Sequence, residues 1–248
     1  MATILITGGT GLVGNDLTKK LIEKGHKVRV LSRSVKQSKN GVDYYRWDVK
    51  HNEIDENALL GIDSIVHLAG AGVADGAWSD SYKKEIIDSR VDTIQLLLNK
   101  CKELKSFPKS IVSASGTAYY GFDNSDKSYV ESAEAGKGFL TEVSEKWEEA
   151  SEGFEKYDVR RVVFRIGVVL SDKGGALKPI KIPFQFGIGS AMGTGKQPFP
   201  WIHIDDLTGG LLLAIEKKEV SGTYNAVAPQ KATNQEFSKT LAQEMKCP

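Results

Sequence analysis

The chain has 248 residues, which suits one α/β domain of ordinary size with a small appended lobe. Its 33 basic and 32 acidic side chains leave a net charge of +1, so neither a nucleic-acid partner nor a membrane surface is expected. No apolar run approaches the roughly 20 residues of a membrane-spanning helix, and no signal-peptide pattern precedes the first strand. The two cysteines, Cys101 and Cys247, lie outside any metal-binding spacing, so we expect a cytoplasmic protein with free thiols and no bound metal.

A glycine-rich stretch follows a short apolar strand, residues 4–6, and precedes an amphipathic helix over residues 17–24. Gly8 permits a tight turn, Gly11 lets a pyrophosphate approach the backbone, and Gly14 lets the helix pack closely on the strand. The first N–H groups of such a helix have no internal partners and favour an anion. We therefore predict a dinucleotide phosphate site formed by Gly8, Thr10, Gly11, Leu12, Val13 and Gly14.

The end of the second predicted strand, residues 27–31, bears on the choice of cofactor. A site for NAD has a carboxylate here, which accepts a hydrogen bond from the ribose 2′-hydroxyl. This chain has Ser32-Arg33-Ser34 instead, and a guanidinium beside hydroxyls favours a 2′-phosphate. The sequence therefore predicts NADP, with NADPH preferred over NADH, bound through Ser32 and Arg33. The alternative is that Arg33 is a solvated loop charge.

Two further strands complete the predicted cofactor site. The third, residues 44–49, ends in Asp48, which we expect to meet the adenine amino group. The fourth, residues 62–68, carries His67, interpreted as a core histidine, and runs into small residues that leave room for a cofactor against the backbone. The expected contacts on this side are Asp48, Val49, Leu68, Ala69, Gly70, Ala71 and, on the fifth strand, Ser113.

Strands and helices alternate along the rest of the chain, with helices predicted over residues 79–102 and 139–157 and strands over 109–113 and 160–170. This alternation predicts an α/β fold, a doubly wound parallel sheet of the NAD(P)-binding Rossmann type. After Ser171 glycines and prolines cluster through residues 174–200, a loop-rich segment that could fold over the strand ends.

Beyond that segment we predict a helix over residues 207–216, capped by Asp205 or Asp206, a strand over 222–227 and a helix over 234–245. We divide the chain into a dinucleotide-binding domain, residues 1–170, and a small substrate-side lobe, residues 171–248, interleaved with it.

Several motifs, in this order, resemble the extended short-chain dehydrogenases/reductases, the class of nucleotide-sugar epimerases and dehydratases. They are residues 7–14, His67-Leu68-Ala69-Gly70, residues 113–121, Arg165-Ile166-Gly167 and residues 201–206. A narrower resemblance, to an atypical subgroup of epimerase-family proteins, is carried by Gly174-Gly175-Ala176-Leu177, Phe186-Gly187-Ile188-Gly189 and residues 195–203. Members of this subgroup continue into a further C-terminal segment, which we expect this sequence to lack. The resemblance implies a small-molecule substrate such as a sugar nucleotide, and a homodimer is one expected form.

The family's reaction uses three groups beside the nicotinamide. A tyrosine exchanges a proton with a substrate hydroxyl, a lysine four residues later lowers its pKa, and a serine or threonine polarises the substrate oxygen. Ser115 is the best match for the serine, and Ser113 is the alternative. The Y-x-x-x-K pair is missing: Lys146 stands near the lysine position, but Glu142 precedes it by four residues, and the two could simply form an ion pair.

The nearest phenols, Tyr119 and Tyr120, follow Ser115, and Tyr120 is the candidate replacement for the missing tyrosine. A structural or substrate-contact role for it is the alternative. Two functional hypotheses stay open: an NADP-dependent oxidoreductase or epimerase with rearranged acid–base groups, or a catalytically weak NADP-binding sensor or scaffold. The candidates for lining a substrate pocket are Trp78, Arg165, Gln197 and Trp201.

Overall fold

The structure is a computed structural model and describes residues 1–34, 37–38, 40–122 and 127–247. Its strands are β1 (Thr3–Thr7), β2 (Lys27–Ser32), β3 (Val42–Asp48), β4 (Glu53–Ile54), β5 (Ser64–His67), β6 (Ser110–Gly116), β7 (Arg160–Ile166), β8 (Val168–Leu170), β9 (Trp201–His203) and β10 (Gly222–Ala226). Its α-helices are α1 (Leu12–Glu23), α2 (Asp80–Leu104), α3 (Phe139–Glu152), α4 (Leu177–Gln185), α5 (Ile204–Glu216) and α6 (Asn234–Glu244).

Eight strands form one sheet in the order β10-β7-β6-β5-β1-β2-β3-β4, and all neighbours are parallel except β3 and β4. The chain builds outward from β1 through β2 to β4, then returns to the other side of β1 with β5. Ligands of doubly wound sheets bind at the carboxyl ends of the strands where the order reverses, here between β1 and β5. The predicted Rossmann-type fold is confirmed.

Helices cover both faces of this sheet, which explains why its central strands are apolar on both sides. Ile4, Leu5 and Ile6 of β1 are fully buried. Leu5 faces a core shared with α2 and α3, whereas Ile4 and Ile6 face a core shared with α1 and α5. The carboxyl ends of β1, β5 and β6 therefore stand at the open edge of a rigid, two-sided core.

The predicted strand 160–170 is divided in the structure at Gly167, whose N–H donates to the carbonyl of Ala226 at 3.1 Å. After this residue β8 leaves the main sheet and pairs in parallel with β9. The segment predicted as loop contains α4, in which Pro179 occupies the first turn, where a missing N–H costs no helical hydrogen bond.

The C-terminal part of the chain joins both the sheet and its helical layer. β10 pairs with β7 at the sheet edge, and Lys20 of α1 binds Asp205 at 2.9 Å and Thr208 at 2.7 Å on α5. The cap prediction is wrong: α5 begins at Ile204, and the His203 side chain caps it by accepting from the N–H of Asp205, so Asp205 and Asp206 lie in the first turn. The division at residue 170 stays a prediction.

In the part of the chain that the structure describes, no helix has the length and apolar character needed to cross a membrane. Cys101 is buried, Cys247 is half-buried, and both are free thiols.

Candidate functional site

The glycine turn is packed too tightly for side chains at two of its positions. Gly8 has a φ of +69°, and a Cβ there would lie 2.7 Å from the carbonyl carbon of Leu68. A Cβ on Gly14 would lie 2.4 Å from the carbonyl oxygen of Gly8. The Gly11 N–H donates to that same oxygen at 3.0 Å, which closes the turn. Strand, turn and helix therefore meet as the sequence predicts.

The first turn of α1 is open to an anion. Gly11 is the N-cap residue and provides no side-chain hydrogen bond, so the N–H groups of Leu12, Val13 and Gly14 are uncapped by any side chain. Thr10 is exposed beside them, and its carbonyl accepts from the Asn15 side chain at 2.9 Å. Uncapped N–H groups and the positive end of the helix dipole form a phosphate cradle.

A residue that the sequence analysis missed connects this cradle to β5. The hydroxyl of Thr7, fully buried, accepts from the N–H of Leu68 at 3.3 Å and of Ala69 at 3.2 Å. This holds the end of β5 against the glycine turn. The polar residue at the end of an otherwise apolar strand was the available signal. Gly70 is exposed beyond them, and Ala71 donates its N–H to the Ser89 hydroxyl at 2.9 Å.

The ends of β2 and β3 carry the residues expected around the adenosine. Ser32 is buried, whereas Arg33 is exposed and has no hydrogen bond or ion pair with any residue that the structure describes. The Asp48 carboxylate is engaged in its own turn, accepting from the Lys50 N–H at 3.1 Å and contacting Nδ1 of His51 at 2.9 Å. The hydrogen bond with His51 lowers the pKa of Asp48. Val49 packs against the core.

Helix α3 does not present Lys146 to the site. Lys146 and Glu142 form an ion pair of 2.6 Å on the solvent side, with both side chains about half exposed. The buried face, toward the sheet, carries Thr141, Ser144 and Glu148. The Oγ of Ser144 lies 3.6 Å from the position that a Cβ would take on Gly116. Lys146 follows Ser144 by two residues, which on a helix is more than half a turn away, so the geometry favours the ion-pair alternative. The catalytic assignment of Lys146 stays a prediction.

Beneath the end of β6, Ser115 belongs to a buried ionic network. Its hydroxyl donates to Glu148 at 2.7 Å, and Glu148 accepts from Nε and Nη2 of Arg165 at 2.9 Å each. Burial alone would lower the pKa of Arg165, but the hydrogen bonds and charge of Glu148 outweigh it and raise the value. Ser115 and Arg165 are each 4% exposed. The network gives both residues structural partners, and their predicted roles, catalytic serine and substrate residue, stay predictions.

Tyr120 extends the same network. Its hydroxyl donates to Oδ1 of Asn225 at 2.7 Å and accepts from Nη1 of Arg165 at 2.9 Å. The Tyr119 ring covers the guanidinium, with Cζ 3.3 Å from its centroid. The buried Tyr120 therefore fits its alternative, structural role, and its catalytic role stays a prediction.

Two polar residues on β5 and β6 lie below the site, inside the core. Ser113 is fully buried, so its hydroxyl does not face the open edge. His67 contacts the Thr93 hydroxyl through Nε2 at 2.8 Å, and its Nδ1 accepts from Nε1 of Trp147 at 3.2 Å. Burial and the charge of Arg90 lower the pKa of His67 to about 3, so the ring is neutral. The interpretation as a core histidine is confirmed.

The other predicted substrate residues differ in exposure. Trp78 is 44% exposed, and its ring packs edge-on against Phe139 at the start of α3, with 5.2 Å between centroids. Gln197 is tied into a local turn, donating to the carbonyl of Met192 at 2.7 Å, and Trp201 is half-buried on β9. Of these three residues, Trp78 is therefore the one that is exposed.

The segment after Ser171 returns to the phosphate cradle. Lys173 binds the buried Asp16 of α1 at 2.9 Å, and a Cβ on Gly175 would lie 2.7 Å from the Leu12 side chain. A groove of about 520 Å³ lies between this segment and α1. Burial raises the pKa of Asp16, but the hydrogen bonds from Lys173 and Thr208 outweigh it and lower the value, so the carboxylate is charged.

Comparison with known proteins agrees with this geometry. Residues 4–138 match the model of the NAD dependent epimerase/dehydratase family. The chain belongs to this family. The human epimerase family protein SDR39U1 is 39% identical over 241 residues, covering 96% of this chain and 78% of that protein. The epimerase family protein SSP1921 of Staphylococcus saprophyticus is 36% identical, covering 98% and 80%.

Several solved structures are similar in fold to this epimerase-family chain. The crystal structure of human SDR39U1 isoform 2 with NADPH has a TM-score of 0.86 at 35% identity, covering 99% of this chain and 80% of that one. A nucleoside-diphosphate sugar epimerase from Corynebacterium glutamicum has a TM-score of 0.83 at 37% identity, covering 98% and 50%. UDP-glucuronic acid 4-epimerase from Bacillus cereus, 18% identical, has a TM-score of 0.84 and shares the fold.

Proposed function

We propose that this chain binds NADP and acts as an oxidoreductase or epimerase on a small hydroxylated substrate. The observation that carries the proposal is the pairing of two features. The first turn of α1 is not capped by the side chain of its N-cap residue, and Arg33 at the end of β2 has no hydrogen bond or ion pair with any described residue. A guanidinium forms strong, charge-assisted hydrogen bonds with a phosphate dianion, whereas its interaction with a ribose 2′-hydroxyl is weak. The NADPH in the structure of human SDR39U1 supports the same cofactor.

The residues present fit the phosphates of a dinucleotide. Gly8 and Gly14 let the turn pack tightly against β5 and α1, and the N–H groups of Leu12 and Val13 would hold the pyrophosphate. Gly70 is exposed at the end of β5. When bound, the cofactor supplies hydride chemistry, and the protein supplies position and electrostatics. Ser144 is 4% exposed, and its hydroxyl donates to the Leu140 carbonyl at 2.9 Å. Its Oγ lies 3.6 Å from the Cβ position of Gly116, at the end of β6, and we propose it for contact with the substrate oxygen.

For the substrate, we propose the sugar-nucleotide class. The family assignment and the 37% identity to the Corynebacterium nucleoside-diphosphate sugar epimerase support this class. The exposed Trp78, next to Phe139, offers an aromatic surface for a base or a sugar ring.

A second function, NADP binding with little turnover, is supported by a specific observation. The sheet face of α3 has neither the tyrosine nor the lysine of the family reaction. Ser115 and Tyr120 are already hydrogen-bonded to Glu148 and Arg165. A sensor or scaffold would need the cofactor site but not these groups.

Fluorescence titration with NADPH and NADH tests the cofactor proposal. We expect NADPH to bind more tightly, and Arg33→Ala to weaken NADPH by about tenfold or more while leaving NADH nearly unchanged, since a charge-assisted hydrogen bond contributes about 1.5–3 kcal/mol. Lys27→Ala is the matched control, because Lys27 is an exposed cation at the opposite end of the same strand. Equal wild-type affinities for NADPH and NADH would refute the cofactor preference.

A substrate screen then distinguishes the two functions. It follows the cofactor's absorbance for net oxidation or reduction, and it follows the configuration of the sugar by NMR for epimerisation, which returns the hydride and leaves the absorbance unchanged. Turnover of a sugar nucleotide that falls in Ser144→Ala, with NADPH affinity unchanged, would support the enzyme. Binding without turnover across the class would favour the sensor.

A further inference from the structure

Arg90 on α2 is buried and has no counter-ion among the residues that the structure describes. It is 8% exposed, and its hydrogen bonding within the described part of the chain is limited to one bond from Nη1 to the Ile86 carbonyl at 2.8 Å. Its Nε has no partner. A buried cation is costly unless it is paired, so this arrangement requires a reason.

Arg165 shows what a compensated arginine looks like in the same protein. It is buried to a similar degree, yet Glu148 meets it with two hydrogen bonds of 2.9 Å. Around Arg90 the titratable neighbours are His67 and Tyr82, and both are neutral near pH 7. Among the described residues, no carboxylate forms an ion pair with Arg90, and burial lowers the pKa of its guanidinium to about 10.

The guanidinium lies at the open edge of the sheet. A Cβ on Gly70 would come within 2.8 Å of its Cζ, so the group lies directly against this exposed glycine at the end of β5. The Trp147 ring supports it from α3, with Cζ 4.8 Å from the ring centroid. His67 and Ser113 are register partners, so the end of β5, where the guanidinium lies, is next to β6.

We propose that Arg90 is the cation of the nicotinamide pocket, taking over the charge that the family lysine would supply. This rests on the proposed NADP binding. The ligand is the nicotinamide end of the cofactor, whose ribose hydroxyls would accept hydrogen bonds from Nη2, which makes no hydrogen bond to a described residue. A fixed positive charge there favours the neutral, reduced nicotinamide over the oxidised ring, which carries a positive charge. The pocket therefore prefers NADPH to NADP⁺ and stabilises negative charge on a substrate oxygen.

The test measures the ratio of the Kd for NADP⁺ to the Kd for NADPH, by direct and competitive fluorescence titration. In Arg90→Met, which keeps an unbranched chain over Trp147, we expect the ratio to fall by roughly tenfold. Arg90→Lys keeps the charge, and we expect it to hold the ratio within about threefold of wild type. If Arg90→Met does not give a folded protein by circular dichroism, Arg90→Gln takes its place.

Arg160→Met is the matched control. Arg160 is half-buried and donates to the carbonyls of Val220 and Ala214, but it stands at the opposite end of the sheet, at the start of β7. An unchanged ratio in a folded, cofactor-binding Arg90 variant overturns the inference and leaves the proposed function intact. A wild-type protein that binds neither NADP⁺ nor NADPH overturns both.

Discussion

The neutral histidine beneath the site makes the protein sensitive to mild acid. Burial and the neighbouring Arg90 lower the pKa of His67 from 6.5 to about 3 in the folded state. Between these two pH values the imidazole of His67 is protonated in the unfolded chain and unprotonated in the folded chain. The stability that His67 contributes is therefore fully present above pH 6.5 and is lost progressively as the pH falls toward 3.

Each pH unit in this window changes the free energy of unfolding by about 1.4 kcal/mol per proton. From pH 7 to pH 5 the loss from His67 is about 2 kcal/mol, because the unfolded histidine titrates through some 1.5 units in that interval. In His67→Gln, whose amide can still accept from Trp147 and donate to Thr93, this loss disappears. We expect urea unfolding at both pH values to show a smaller acid penalty in the variant by that amount. Other groups titrate alike in both proteins and cancel in the difference.

An equal acid penalty in wild type and His67→Gln would refute the reasoning, because it would mean that the folded histidine accepts its proton near pH 6.5. Gln95→Ala, an exposed change on α2, serves as a control that should leave the acid penalty unaltered.

Two further predictions concern α3. Glu148→Gln leaves Arg165 buried without its charge partner. We therefore expect urea unfolding at pH 7 to show a free energy of unfolding lower by about 3–5 kcal/mol, partly recovered when Arg165→Met is added. A decrease below about 1 kcal/mol in the single variant would contradict the network. Lys146→Met removes only an exposed ion pair, so we expect stability to change by less than about 0.5 kcal/mol, with cofactor affinity and any turnover unchanged; a large fall in turnover would restore Lys146 to the site.

The backbone of the cofactor site could be predicted from sequence, because it depends on local rules. Glycines at Gly8 and Gly14 between an apolar strand and a helix specify a tight turn, and β-α alternation specifies a parallel sheet. The same local rules found His67 in the core. They also placed most helices and strands to within a few residues of the structure.

The direction of individual side chains could not be predicted in the same way, because long-range contacts decide it. Lys146 is close in sequence to the position sought, but the angle of α3 on the sheet turns Ser144 and Glu148 inward instead. Ser115 matched a motif, yet its hydroxyl is directed by Glu148, 33 residues away. Arg90 had no sequence signal at all, since a lone arginine on an amphipathic helix reads as a solvated charge.

These directions determine which part of the site can carry chemistry. The polar side chains under the end of β6 are hydrogen-bonded to one another. Ser115, Glu148 and Arg165 connect that strand to α3 and β7, and these hydrogen bonds occupy the groups that a substrate would need. Arg90, on the β5 side, forms no ion pair with any described residue, and its guanidinium lies against the exposed Gly70. Because electrostatic stabilisation requires a charge that is oriented but not already satisfied, we propose that any catalysis by this chain uses Arg90 on α2 in place of the lysine that the family's reaction requires.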